Sequence, residues 1–164
     1  MQYKTHLATS IAVSIPIMAT TDTFSALNLI ALGVGTLLPD IDEPQSYIGR
    51  RTRGISDVIK LIFGHRGITH TIFATVLIGM VAFFISLKLN ILLNIPLYFT
   101  LGYLMHLIGD GFSKSGIAWL LPFKQRKYQL GLGKIYYTTS SLVEYVIFSF
   151  MVVICVFELN YFII

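Results

Sequence analysis

Charged residues are scarce in this sequence: they make up 12% of its 164 residues, whereas soluble domains carry about 25%. Hydrophobic residues account for 55% of the chain, and the mean hydropathy is +0.75. Intrinsic disorder is excluded, because disordered chains are poor in apolar residues. A soluble domain is excluded as well, since too few polar side chains are present to cover its surface. The composition therefore predicts an integral membrane protein.

Cysteine is almost absent, with Cys155 as the one cysteine of the chain. A disulfide framework needs at least one pair, so this class of small secreted domain is excluded. With a mass of 18.4 kDa, the chain is long enough for one domain and too short for two ordinary ones. We therefore predict a single domain over residues 1–164.

Long apolar stretches are abundant, and five of them are candidate membrane helices. They cover residues 7–21, 24–39, 68–87, 91–108 and 142–164. A membrane helix needs about 20 apolar residues, and the first two stretches are shorter than that. They either extend into their flanks or form a re-entrant hairpin, which would leave three spans. The predicted fold is all-α, a polytopic membrane helical bundle of about five helices.

Lys and Arg fall almost entirely on one side of this predicted bundle. Eleven of the twelve lie near the N-terminus or in the loops 40–67 and 109–139, and Lys88 alone lies on the other side. Because basic residues accumulate in cytoplasmic loops, that face and the N-terminus are predicted to be cytoplasmic. The net charge of +4 is then explained by topology and by contact with anionic headgroups, so no nucleic-acid partner is expected.

Seven ionisable residues lie at the predicted cytoplasmic ends of these helices or in the loop between them. They are His6, Asp40, Asp42, His65, His70, His106 and Asp110. Each one alone has an ordinary explanation as a helix cap or a headgroup contact. Ionisable residues near a membrane core are nevertheless costly and tend to be functional, and seven of them at one depth favour a shared metal site.

The spacing of these residues suits metal binding. His106 and Asp110 are four residues apart on a predicted helix and therefore share one face. Asp40 and Asp42 point the same way if their segment is extended. Imidazole nitrogen together with carboxylate oxygen suits zinc, with manganese or iron as alternatives. Seven ligands exceed the needs of one tetrahedral ion, so two divalent ions are predicted.

Four motifs occur in order along the chain. They are Thr5-His6, Leu38-Pro39-Asp40-Ile41-Asp42, His65-Arg66-Gly67-Ile68-Thr69-His70 and Gly102-Tyr103-Leu104-Met105-His106-Leu107-Ile108-Gly109-Asp110. Together they resemble the YdjM-like family of bacterial inner-membrane proteins, which are described as metal-dependent hydrolases. The likeness covers nearly the whole chain, and it implies a hydrolase in the bacterial inner membrane.

A more distant likeness is to the zinc-dependent phospholipase C and P1 nuclease group, all-helical enzymes with a cluster of zinc ions. Their early histidine, loop aspartate and His-x-x-x-Asp pair correspond here to His6, Asp40 or Asp42, and His106 with Asp110. The chain lacks their N-terminal tryptophan ligand and their second His-x-x-x-Asp pair. The likeness therefore implies two metal ions rather than three.

These expectations combine into a phosphoesterase that acts on a lipid or lipid-linked phosphate at the cytoplasmic membrane interface. The metal ions would lower the pKa of bound water, and Asp42 would be free to act as a general base. Arg66 would stabilise negative charge on the phosphoryl group. A site at headgroup depth favours a lipid substrate over a soluble nucleotide.

Two non-enzymatic alternatives stay open at this point. Histidines on facing helices could bind haem or line a metal-ion pathway, or the basic loops could dock an anionic partner. Glu144 also has two interpretations. Ser141 precedes it by three residues, which is the spacing of a capping box, yet its carboxylate could instead belong to the metal site.

Overall fold

Helices make up the regular secondary structure of the part that the computed structural model describes, residues 1–64 and 66–162. The six α-helices are α1 (Tyr3–Thr20), α2 (Ala26–Leu37), α3 (Ile55–Phe63), α4 (Ile72–Lys88), α5 (Asn94–Gly111) and α6 (Leu142–Phe162). Two short 3-10 helices, Leu38–Asp42 and Ile68–His70, follow α2 and precede α4. Within the described ranges there are isolated β-bridges but no strand, which confirms the all-α fold class.

The five apolar stretches correspond to α1, α2, α4, α5 and α6. Among the helices of the described residues, α6 is the one that is long and apolar enough to cross a membrane, and α4 is a shorter apolar helix. A bundle of five membrane helices therefore stays a prediction. Large apolar side chains such as Phe84, Val146 and Phe157 are exposed on α4 and α6, which is typical of surfaces that contact lipid.

Two glycines bring α2 and α5 into backbone contact. A Cβ atom added to Gly35 would overlap the carbonyl oxygen of Phe99, and one added to Gly102 would overlap that of Leu32. Since a side chain at either position would push the helices apart, glycine is required at both. The close approach places the second half of α5, which carries His106, against the end of α2.

The helix α4 begins later in the structure than was predicted from the sequence. The apolar stretch begins at residue 68, but Thr71 caps the helix: its hydroxyl accepts a hydrogen bond from the Ala74 N–H at 3.0 Å. His70 therefore lies outside α4, in the 3-10 turn before it. The helix α5 continues to Gly111. His106 and Asp110 therefore share one helix, as predicted.

The loop predicted over residues 40–67 contains a helix, α3, that was not predicted. Its apolar residues Ile55, Val58 and Ile62 recur at helical spacing, which was the available signal. All three are exposed, whereas Ser56 is buried. The structure thus replaces an expected loop by a short amphipathic helix that lies between the two 3-10 segments of the site.

Candidate metal centre

Five ionisable side chains form one cluster at the end of the helical bundle. They are His6 from α1, Asp40 and His70 from the two 3-10 helices, and His106 and Asp110 from α5. All but Asp40 are at most 2% exposed, while Asp40 lies at the edge with 18% of its side chain exposed. Buried ionisable groups of this kind are stable when they are paired or bound to a metal ion.

The imidazole of His106 is held from behind by the end of α2. Its Nδ1 lies 2.7 Å from the carbonyl oxygen of Thr36. A carbonyl oxygen only accepts hydrogen bonds, so Nδ1 must carry the proton and donate it. In the neutral ring, Nε2 then has a free lone pair. The contact between α2 and α5 thus presents Nε2 of His106 as a potential ligand.

His70 is oriented in the same way by a carboxylate. Its Nδ1 lies 3.2 Å from Oδ2 of Asp42, and the Thr69 hydroxyl donates a hydrogen bond to that same oxygen. Asp42 therefore favours a proton on Nδ1 of His70 and directs Nε2 towards the cluster. A carboxylate behind a metal-binding imidazole is a common arrangement, because it fixes the ring and raises its basicity.

The first group of potential ligands is Asp40, His70 and His106. The two Nε2 atoms of the histidines are 3.3 Å apart. Oδ1 of Asp40 lies 3.6 Å from Nε2 of His106 and 3.7 Å from Nε2 of His70. Two nitrogens bound to one tetrahedral zinc ion, at about 2.0–2.1 Å each, are separated by roughly 3.3 Å. These three residues therefore fit one zinc-sized ion.

The second group is His6, His106 and Asp110. Nε2 of His6 is 3.4 Å from Oδ1 of Asp110, and the rings of His6 and His106 are stacked with centroids 3.8 Å apart. Oδ2 of Asp110 also lies 3.7 Å from Nε2 of His70. Since His106 has one free nitrogen, it can serve one ion only. A second ion would depend on His6 and Asp110. The carboxylate of Asp110 lies between the positions of the first and the second ion.

Nε2 of His6 is a buried polar atom without a hydrogen-bond partner among the described residues. An unpaired buried polar group costs free energy comparable to a lost hydrogen bond. This nitrogen lies 3.4 Å from Oδ1 of Asp110, an oxygen that also accepts a hydrogen bond from the Met1 amino group at 3.0 Å. The unsatisfied nitrogen supports the fit of a cation at the second group, and that cation would displace the Met1 amino group from Asp110.

The charges of the cluster shift the pKa values of the two residues in its 3-10 helices. Burial by itself raises the pKa of Asp40, but the imidazoles of His106, His70 and His6 outweigh this effect and lower it to about 2. Burial likewise lowers the pKa of His70, but Asp40, Asp42 and Asp110 together raise it to about 9. At neutral pH the metal-free protein therefore holds an extra proton on His70, which a metal ion must displace.

Arg66 closes one side of the cluster. Its Nη2 lies 2.8 Å from Oδ2 of Asp110, and its Nη1 donates hydrogen bonds to the hydroxyls of Ser113 and Ser115 at 3.2 and 2.9 Å. Asp40, Asp110 and Arg66 line a cleft of about 390 Å³ together with Arg50. The cleft gives solvent a path to the potential ligands and places two guanidinium groups around that path.

The sequence profile of the YdjM inner membrane protein family matches residues 1–162 of this chain. The chain belongs to the YdjM family. Inner membrane protein YdjM of Escherichia coli (strain K12) is 35% identical over 92 residues, which cover 55% of this chain and 46% of that protein. Uncharacterized protein YvsG of Bacillus subtilis (strain 168) is 37% identical over 123 residues, or 74% of each chain.

The chain thus spans about half the length of its YdjM relative from Escherichia coli. Membership of the YdjM family confirms the family resemblance and places the protein among inner membrane proteins. No solved structure gives a significant match, so the likeness to phospholipase C and P1 nuclease stays a prediction.

Most of the ionisable residues predicted from the sequence do come together. Five of the seven form the two ligand groups, and His65 lies outside the described residues. Asp42 is completely buried but belongs to neither group. Its segment is a 3-10 helix rather than the extended chain considered above, so Asp40 and Asp42 point to different sides of His70. Asp42 therefore contacts the nitrogen of His70 that faces away from His106.

Glu144 acts as a cap in this structure. Its carboxylate accepts hydrogen bonds from the backbone N–H groups of Ser140 and Gln2, at 2.6 and 2.5 Å. The hydroxyl of Ser141 in turn accepts a hydrogen bond from the Glu144 N–H at 3.3 Å. Because Gln2 precedes α1, this buried carboxylate joins the start of α1 to the start of α6, and it belongs to neither ligand group.

Three residues that support the site were not predicted from the sequence. Thr36 contributes a backbone carbonyl, for which the sequence carries no signal. Thr69 contacts Asp42, and the hydroxyl of Tyr137 donates hydrogen bonds to the Gly109 carbonyl and to Oδ1 of Asp110, at 3.0 and 3.2 Å. Tyr137 is 28 residues from Gly109 along the chain, so local spacing could not reveal this contact.

Proposed function

We propose that this YdjM-family protein is a metal-dependent hydrolase, a phosphoesterase that acts on a lipid or lipid-linked phosphate at the cytoplasmic face of the inner membrane. The observation that carries the proposal is the pair of Nε2 atoms of His70 and His106, 3.3 Å apart beside Asp40. Each imidazole is oriented from behind and is buried, and Asp40 reaches the wall of an open cleft.

In this proposal Asp40, His70 and His106 hold one divalent cation, with zinc as the first choice, and His6 and Asp110 hold a second. A cation bound in this way supplies Lewis acidity and activates water for hydrolysis. Three protein ligands leave a fourth position of a tetrahedral ion open, which is typical of catalytic rather than structural zinc sites.

Asp42 takes a supporting role here rather than that of a general base. Its carboxylate already accepts hydrogen bonds from Thr69 and from Nδ1 of His70, and it is completely buried. Holding the His70 ring in place is a role that these contacts support directly.

Arg66 is proposed to bind the phosphoryl group. The two serines and Asp110 fix its guanidinium at the cleft wall, so little side-chain entropy is lost when an anion binds. A planar guanidinium suits the oxygens of a phosphate group, and Arg50 adds positive charge to the same cleft. These contacts support an anionic ester as the substrate.

A haem site is disfavoured by the same distances. Axial histidines bind iron from opposite faces of the porphyrin. Here the Nε2 atoms of His70 and His106 face each other at 3.3 Å, and the ring of His6 stacks on that of His106. This arrangement leaves no room for a porphyrin plane, so a small cation is the ligand that the cluster supports.

The proposal is tested by metal analysis and phosphate release on the same preparation. The protein is purified in detergent, loaded with zinc, and assayed against a panel of bacterial phospholipids and isoprenyl phosphates. We expect wild type to retain zinc and release phosphate or a phosphorylated headgroup, and His106→Ala to lose both. Asp22→Asn alters an exposed carboxylate in the turn between α1 and α2, away from the ligand groups, and should retain zinc and hydrolysis. Zinc binding without hydrolysis of any substrate in the panel would contradict the enzymatic function.

A further inference from the structure

The helix α3 has an unusual distribution of apolar side chains. Ile55, Val58 and Ile62 lie on one face at spacings of three and four residues, and Leu61 and Phe63 border this face. Their exposures are 61%, 53%, 64%, 87% and 49%. Five large apolar side chains in a helix of nine residues are thus directed away from the protein. Contiguous exposed apolar surface of this kind marks a site of interaction.

One edge of the polar side of α3 contacts the protein. Ser56 is completely buried, and Nζ of Lys60 forms an ion pair with Glu43 at 3.0 Å, whereas Asp57 is exposed. A surface helix of a water-soluble domain has the reverse arrangement, with its apolar face on the core and its polar face in water. The solvent-directed face of α3 therefore requires an apolar environment outside this chain.

The segment before α3 is strongly basic. Arg50, Arg51 and Arg53 lie within five residues of the first turn, and all three are exposed. Asp57 is the one acidic residue of α3, and its carboxylate accepts a hydrogen bond from the Gly54 N–H at 3.1 Å. An apolar face beside exposed arginines is complementary to an anionic lipid surface, since hydrocarbon and phosphate headgroups meet there.

We infer that α3 lies in the plane of an anionic lipid leaflet, with Ile55, Val58, Leu61, Ile62 and Phe63 in the acyl-chain boundary and Arg50, Arg51 and Arg53 among the headgroups. Nine residues extend about 13 Å, which is too short to cross a bilayer. The inference uses none of the ligand residues and shares only Arg50 with the cleft of the proposed function. Its test measures lipid and iodide access rather than hydrolysis, so it can fail separately.

Under this inference the candidate metal centre lies near the level of the headgroups. α3 ends three residues before Arg66, and the Lys60–Glu43 ion pair joins it to the segment that follows the 3-10 helix Leu38–Asp42. A helix held at the headgroup boundary would therefore hold Asp40 and Arg66 at the same level.

Site-specific labelling tests the inference on the full chain. In a Cys155→Ser background, single cysteines at Leu61 and at Val58 are labelled with an environment-sensitive fluorophore. Asp57→Cys is the matched control, because Asp57 is exposed on the polar side of the same helix. The labelled proteins are placed in nanodiscs at one copy per disc. Quenching by nitroxide lipids and by aqueous iodide is measured in discs of phosphatidylcholine with and without phosphatidylglycerol.

We expect the probes at positions 58 and 61 to be quenched by nitroxide lipids and shielded several-fold from iodide, and the probe at position 57 to show the opposite. Adding phosphatidylglycerol should increase the shielding, and the triple variant Arg50→Gln, Arg51→Gln, Arg53→Gln should remove that increase. Iodide access at position 61 equal to that at position 57 in single-copy discs would overturn the inference. Shielding that occurs only with two copies per disc would assign the face to self-association and would overturn it as well.

Discussion

His70 and His106 present their Nε2 atoms to each other at 3.3 Å, although 36 residues separate them along the chain. Asp42 holds one ring from behind, and the Thr36 carbonyl holds the other. Two lone pairs at this distance repel each other unless a proton or a cation lies between them. The same position can therefore hold either the extra proton of His70 or a metal ion.

The proton on His70 should make the stability of the metal-free protein depend on pH. Folding raises the pKa of His70 from 6.5 to about 9, so the folded state binds this proton more tightly than the unfolded state. The stabilisation is complete below about pH 6.5 and is lost as the pH rises through about 9. Thermal unfolding after chelation should show this fall in wild type, while His70→Gln should lack it. Equal pH profiles for the two proteins would contradict the prediction.

Asp40 and Asp42 should respond differently to the same substitution. Asp42→Asn keeps the shape of the side chain but removes the charge behind His70, so zinc affinity should fall by about 10–100-fold. Asp40→Asn replaces a direct ligand and should weaken zinc binding further. Competition with a chelating zinc indicator measures both affinities. If Asp42→Asn were the more damaging change, the assignment of ligand and supporting residue would have to be reversed.

Two glycines of α2 provide a matched test of helix packing. Gly35→Ala places a methyl group against the Phe99 carbonyl, whereas Gly33→Ala places one 3.6 Å from a Leu7 methyl group, which is an ordinary contact. The first change should destabilise the protein by about 1–3 kcal/mol and weaken zinc binding, because it separates Thr36 from His106. Gly33→Ala should be neutral or stabilising, since alanine favours helix. Thermal unfolding and zinc content are measured for both variants. Equal values for Gly35→Ala and Gly33→Ala would show that the close contact of α2 and α5 is not needed.

Arg66 should matter for hydrolysis but not for metal content. Arg66→Lys retains a positive charge but loses the planar fork, so kcat/KM for the phosphate substrate should fall by about 100-fold. Arg51→Lys is the control, because Arg51 stacks on the Tyr47 ring at 3.7 Å and does not line the cleft. Wild-type rates for Arg66→Lys would exclude Arg66 as the phosphate-binding residue, and loss of zinc would indicate a structural role through Asp110.

The helices and the ligand candidates could be predicted from the sequence because both are properties of local spacing. Apolar stretches gave five of the six α-helices, and the i, i+4 relationship placed His106 and Asp110 on one face. α3 was not predicted because its nine residues are fewer than a membrane span needs. Its apolar residues were therefore assigned to the loop expected over residues 40–67. The start of α4 was placed too early, since Thr71 caps the helix within an apolar stretch.

The composition and the spacing of polar residues determined by themselves that this is an all-helical membrane protein with imidazoles and carboxylates gathered at one level. Only the tertiary structure decided which of their atoms meet. The nitrogen that His106 offers as a potential ligand depends on a carbonyl 70 residues away in α2, which the ring reaches because Gly35 and Gly102 allow two backbones to touch. The separate roles of Asp40 and Asp42 likewise depend on which nitrogen of His70 each one faces. Tautomers and ligand geometry are set by contacts between distant segments, and such contacts do not exist until the chain has folded.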